Sequence, residues 1–111
     1  MTAEAGIITR EAGSRTVMEL DAPSVDFRNA ESIKSSMTAL VNNGQKDIIL
    51  NLTKVTFMDS SGLSVILFGK RACEEVGGTF CVCGLQSYVN NLFNLTNLTK
   101  TVRILADENE A

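Results

Sequence analysis

The chemistry in this chain concentrates where an apolar run ends in acid and hydroxyl side chains, Phe57-Met58-Asp59-Ser60-Ser61-Gly62-Leu63-Ser64. The preceding run, Asp47-Ile48-Ile49-Leu50-Asn51-Leu52, reads as a buried strand, and the residues after it open a helix. A serine acting there as a nucleophile needs a base, and the chain contains no histidine. The Gly-x-Ser-x-Gly elbow and a glycine-rich loop ending in Gly-Lys-Ser/Thr are missing from the sequence as well. No enzyme activity is expected, and Lys54 and Lys70 read as solvated charges. The remaining chemistry is phosphorylation of one serine. Free N–H groups and the helix dipole at a helix N-terminus favour negative charge, so a phosphate is tolerated there. The competing reading is capping, because Asp, Ser and Gly are favoured around an N-cap for purely structural reasons.

The other candidate ligands are the cysteines. Cys81 and Cys83 stand two apart in an expected strand and share a face, but no histidine accompanies them as a metal ligand. They read as small buried apolar residues, as does Cys73. Neither a metal nor a cofactor is expected.

The helix that opens at the serines has two sides. At about 100° per residue, Val65, Ile66, Gly69, Ala72, Cys73 and Val76 lie opposite Ser60 and form the expected core face. Ser64, Lys70, Arg71, Glu74 and Glu75 fall on the Ser60 side. Leu63 and Leu67 fall there too, which suggests a docking surface unless the next helix or the Val55–Met58 loop covers them.

The elements that must hold this stretch follow in order. Ile7–Arg10 and Arg15–Leu20 read as an antiparallel pair joined by Glu11-Ala12-Gly13-Ser14, and Pro23 breaks the chain after Asp21. Phe27, Ala30, Ile33, Met37, Leu40 and Val41 recur at helical spacing, predicting a helix over 26–42 with Ser24 or Asp26 as its cap and Asn43-Gly44 as its stop. Ile48–Leu52 and Thr79–Cys83 read as strands, and Leu85–Leu95 as a helix with Leu85, Val89, Leu92 and Phe93 on one face. Thr101–Leu105 reads as a last strand, and Asp107–Ala111 as a frayed acidic tail. A hairpin followed by alternating helices and strands implies an α/β domain with a mixed sheet of about five strands packed with helices. The loops after Leu20 and after Leu52 are then expected to share one edge of that sheet.

With 111 residues, 44% hydrophobic and 21% charged, the chain is expected to be one domain over 1–111, with its core at about 7–105. A net charge of −3 and a pI near 4.9 argue against nucleic-acid or anionic-membrane binding. No stretch has the length of a membrane span, and the start lacks a signal-peptide pattern, so a cytoplasmic location is expected.

At Phe57-Met58-Asp59-Ser60-Ser61-Gly62-Leu63 the chain resembles the anti-sigma factor antagonists of bacterial partner-switching systems, which are single STAS domains. The resemblance runs from about Ile7 to Leu105 and includes Leu20-Asp21, Asp47–Leu52 and Gly78-Thr79. Met18 departs from it, since many members have glycine there. The resemblance implies that Ser60 is phosphorylated by a partner anti-sigma factor, an ATP-using serine/threonine kinase. It implies that Ser61, Asp59 and Asp21 adjoin that site, and with the helix reading it gives a partner-binding set of Asp21, Asp59, Ser61, Gly62, Leu63, Ser64 and Leu67. In the family the unphosphorylated antagonist binds the kinase and frees a sigma factor. Phosphorylation abolishes binding, and a metal-dependent serine phosphatase resets it. The chain is expected to be a monomer when free. The alternative within the same fold is a constitutive subunit of a stressosome or a lipid-transport complex. Stressosome proteins carry a further N-terminal domain that is not seen in this sequence.

Overall fold

The computed structural model describes residues 6–110. In order the elements are β1 (Ile7–Ala12), β2 (Arg15–Leu20), β3 (Ser24–Val25), α1 (Ala30–Asn42), β4 (Asp47–Asn51), β5 (Phe57–Met58), α2 (Ser60–Glu75), β6 (Thr79–Cys83), α3 (Ser87–Leu95) and β7 (Arg103–Leu105). Short 3-10 turns at Leu98–Lys100 and Glu108–Glu110 flank the last strand. The main sheet has five strands in the order β1-β2-β4-β6-β7, antiparallel between β1 and β2 and parallel elsewhere. This is the expected mixed α/β sheet, with a second, two-stranded parallel sheet of β3 and β5 that the sequence pattern did not reveal.

The hairpin is longer than expected. Ile7–Ala12 pairs in full with Arg15–Leu20, leaving a two-residue loop, Gly13-Ser14, instead of four residues. Gly13 has φ +67°, the glycine-first arrangement that suits the twist of a tight hairpin.

The first helix starts later than its apolar spacing suggests. Asp26 Oδ1 accepts from the Arg28 N–H at 2.9 Å, and Asn29 Oδ1 accepts from the Asp26 N–H at 3.0 Å. The Asn29 amide also donates to the Ser24 carbonyl at 2.9 Å. These side chains take up the backbone groups of a turn, so α1 begins at Ala30, and neither Ser24 nor Asp26 caps it. Phe27, placed on the apolar helix face by spacing, is therefore outside the helix and 75% exposed. Leu85 likewise precedes α3 rather than belonging to it, and Val76, expected in the core, lies at the end of α2 and is exposed.

Both faces of the sheet are apolar. On one, Met18, Leu20, Ile48, Leu50, Phe80 and Val82 pack with Ile33 and Met37 of α1, Val65, Ile66 and Cys73 of α2, and Val89 and Phe93 of α3. On the other lie Val17, Ile49, Cys81, Cys83 and Leu105. The three cysteines are buried free thiols, as their composition context implied. The tail is not frayed as expected. Glu108 is half-buried and bound to Arg10, 98 residues away, and to Asn51. Among the described residues no helix is long and apolar enough to cross a membrane.

Phe93 ties α3 to the shared core and is fully buried. Phe93→Ala should lower unfolding stability by about 3–5 kcal/mol in urea denaturation, the usual cost of such a truncation in a packed interior.

Candidate functional site

Parallel pairing between β3 and β5 sets Ser24 beside Phe57 and Val25 beside Met58. The Pro23 carbonyl accepts from the Thr56 N–H at 2.8 Å and the Phe57 N–H at 3.2 Å, and the Thr56 hydroxyl adds a third bond at 3.0 Å. The two loops expected to share a sheet edge are thus stitched together. The Asp59 N–H then donates to the Val25 carbonyl at 3.3 Å, and the chain turns into α2.

Asp59, not a serine, caps that helix. Its backbone is extended (φ −105°, ψ −168°) and its Oδ1 accepts from the Gly62 N–H at 3.1 Å. The Ser60 side chain is exposed and has no hydrogen-bond partner among the described residues. Ser61 is half-buried, and the Ser64 hydroxyl is committed to the Ser61 carbonyl at 2.6 Å. The capping reading of the two serines is therefore corrected in favour of their acidic neighbour.

Gly62 is buried where α2 passes over β3. A Cβ there would come within 2.4 Å of the Val25 carbonyl oxygen and 2.3 Å of Met58 Cγ, so only glycine allows this approach. Leu63 is partly buried and packs against the main core, while Leu67, one turn on, is 42% exposed. Of the two leucines on the Ser60 side, Leu67 alone is open.

Charges around the turn are matched. Asp26 is buried with its carboxylate on the Arg28 guanidinium at 2.8 Å, and it accepts from the Ser24 hydroxyl at 3.0 Å. The Arg28 hydrogen bonds hold the Asp26 carboxyl well below the usual carboxylate range, and Asp26 in turn raises Arg28, with a smaller contribution from Asp59. Asp21 is exposed on the neighbouring loop, with Lys54 at 3.4 Å from both Asp21 and Glu19. Lys54 and Lys70, read as solvated from sequence, both hold ion pairs, Lys70 with Glu74 at 2.7 Å.

Sequence reasoning missed two aromatic features. Phe57 stacks on Tyr88 of α3, ring centroids 5.4 Å apart and 21° from parallel, and both rings are about half exposed. Phe27 stands exposed on the segment that follows β3. An exposed Phe two residues after a short strand, and another directly before the acid-serine turn, were the available signals.

Residues 7–111 match the STAS domain family. An anti-sigma F factor antagonist of Paenibacillus polymyxa is 31% identical over 85 residues, covering 76% of this chain and 73% of that protein. A Bordetella bronchiseptica protein assigned as an anti-sigma factor antagonist, BtrV, is 28% identical over 72 residues, covering 65% of this chain but only 62% of its own length. Among solved structures, a Thermotoga maritima protein assigned as an anti-sigma factor antagonist superposes with a TM-score of 0.83 at 25% identity, covering 94% and 89% of the two chains. SpoIIAA, an anti-sigma factor antagonist, in its unphosphorylated form gives 0.72 at 21% identity over 94% of this chain and 91% of that one, a likeness of fold. The chain belongs to the STAS domain family, among its anti-sigma factor antagonists.

Two outcomes test this geometry. Gly62→Ala should cost about 1–3 kcal/mol in urea denaturation, because the helix must lift off β3. Asp26 has a lowered folded-state value, so its contribution to stability is complete above about pH 4 and fades as pH falls further. Asp26→Asn should be less stable than the parent at neutral pH, and the difference should narrow in acid, read as denaturation midpoints from pH 7 to pH 2.

Proposed function

We propose that the chain is an anti-sigma factor antagonist whose unphosphorylated form binds a serine-kinase anti-sigma factor and so releases a sigma factor. Ser60 is the phosphorylated residue. The observation that carries this reading is the uncommitted, exposed Ser60 hydroxyl beside a cap that Asp59 already supplies. A kinase can take this hydroxyl without breaking any bond that holds the helix. The phosphate adds about −1.5 to −2 charges next to Asp59, on an edge that also carries Asp21. Repulsion and bulk then disrupt the contact surface while the fold persists, and a metal-dependent serine phosphatase restores the starting state.

The partner surface in this reading is Asp21, Asp59, Ser61, Gly62, Leu63, Ser64 and Leu67. Their parts differ physically. Leu67 and Asp21 offer exposed contact, whereas Gly62 and Leu63 shape the turn from beneath. The chain acts as substrate and ligand of its partners, not as a catalyst.

Incubation with candidate anti-sigma kinases and ATP, followed by site mapping by mass spectrometry, should place one phosphate on Ser60 and none on the Ser60→Ala variant. Absence of modification by every such kinase would instead favour a constitutive STAS subunit. Leu67→Lys should weaken kinase binding at least about tenfold with an unchanged melting curve, as removal of a single exposed apolar anchor does. Loss of folding in that variant would contradict its role as a docking residue.

A further inference from the structure

All three helices contribute to the core on one face of the sheet, and the cluster on the other face contains no helical residue. Val17, Ile49, Cys81, Cys83 and Leu105 are nonetheless buried. The segment set against them is the acidic tail. Glu108 and Asn109 line a cavity of about 430 Å³ together with Ile49, Ala12 and Arg15. Asp107 and Glu108 also act electrostatically on the Cys83 thiol.

One carboxylate secures that tail to the sheet. Glu108 accepts from the Arg10 guanidinium on β1 and from the Asn51 amide on β4, the latter at 2.9 Å. Asn51 is buried and fixed from its other end, where Oδ1 accepts from the Thr53 N–H at 2.9 Å and from the Thr53 hydroxyl. Its donor is thereby aimed at the tail. The neighbouring tail residues are exposed, and the Asn109 N–H turns back on Asp107 at 2.9 Å rather than reaching the sheet. A short chain end held by one side chain can open without the rest of the fold. While it is closed, burial pushes the Cys83 thiol up to about 11 and so keeps it unreactive at neutral pH.

We propose that the C-terminal segment is a clasp. Glu108, bound to Arg10 and Asn51, closes the helix-free face of the sheet, and its release opens Cys81 and Cys83 to covalent thiol modification while the helix-covered core stays shut.

Cys73 provides an internal reference, since it is buried in the helix-covered core. The test is alkylation of the folded protein with iodoacetamide at neutral pH, each cysteine followed separately by mass spectrometry. In Glu108→Ala, Cys81 and Cys83 should react about tenfold faster than in the parent, with Cys73 unchanged, as expected when a charge-assisted contact holding a local opening is removed. Arg10→Met, which leaves the tail sequence intact, should reproduce the pattern. Equal acceleration at all three cysteines would mean general loosening and overturn the clasp, as would unchanged rates at Cys81 and Cys83 in both variants.

Discussion

The site depends on one close approach, the first turn of α2 against the backbone of β3. The Val25 carbonyl receives the Asp59 N–H at 3.3 Å and sits where a side chain on Gly62 would have to go. That contact fixes the angle at which the helix leaves the sheet edge, and with it the direction of Ser60. The two-stranded β3–β5 sheet exists to support this contact. Each strand is only two residues long and would not persist alone, so the Pro23 carbonyl and its three donors hold the pair in register. A turn that presents a free hydroxyl is thus built on rigid backbone hydrogen bonds rather than on the serine itself.

Burial and charge work together around that turn. Asp26 is an acid nearly excluded from water, tolerable because Arg28, Ser24 and its own segment supply donors to its carboxylate. The same arginine lies close enough to Asp59 to feel its charge. The neighbouring loop repeats the pattern with Lys54 between Glu19 and Asp21. The edge is therefore strongly polar yet electrically balanced, so any added charge falls on a surface that was near neutrality.

The elements whose burial is periodic were legible from sequence. The apolar run at Ile48–Leu50, the wheel of α2 and the Thr79–Cys83 strand all appear where their patterns put them, give or take a residue. The acid-serine turn was legible as well, because small polar residues after a buried strand have few other uses. What stayed hidden depends on contacts between distant residues. Phe27 falls at helical spacing from Ala30 by coincidence, and only the Asp26 and Asn29 side chains stop the helix from reaching it. Ser24-Val25 is too short to show alternation. The Phe57–Tyr88 stack joins residues 31 positions apart, and an acidic tail looks frayed until Glu108 meets Arg10 at a separation of 98.

The order of strands has a further consequence at the rims of the sheet. The first and last strands, β1 and β7, form its two edges. β1 exposes Thr9, Arg10 and Glu11 along its length, and β7 is only three residues long. Charged and abbreviated rims give another polypeptide little unpaired backbone to zip onto, which guards against runaway strand addition between molecules. A fold that places its apolar runs in the central strands and its charges at the border stays dispersed when crowded, leaving the Ser60 turn as its most approachable ground.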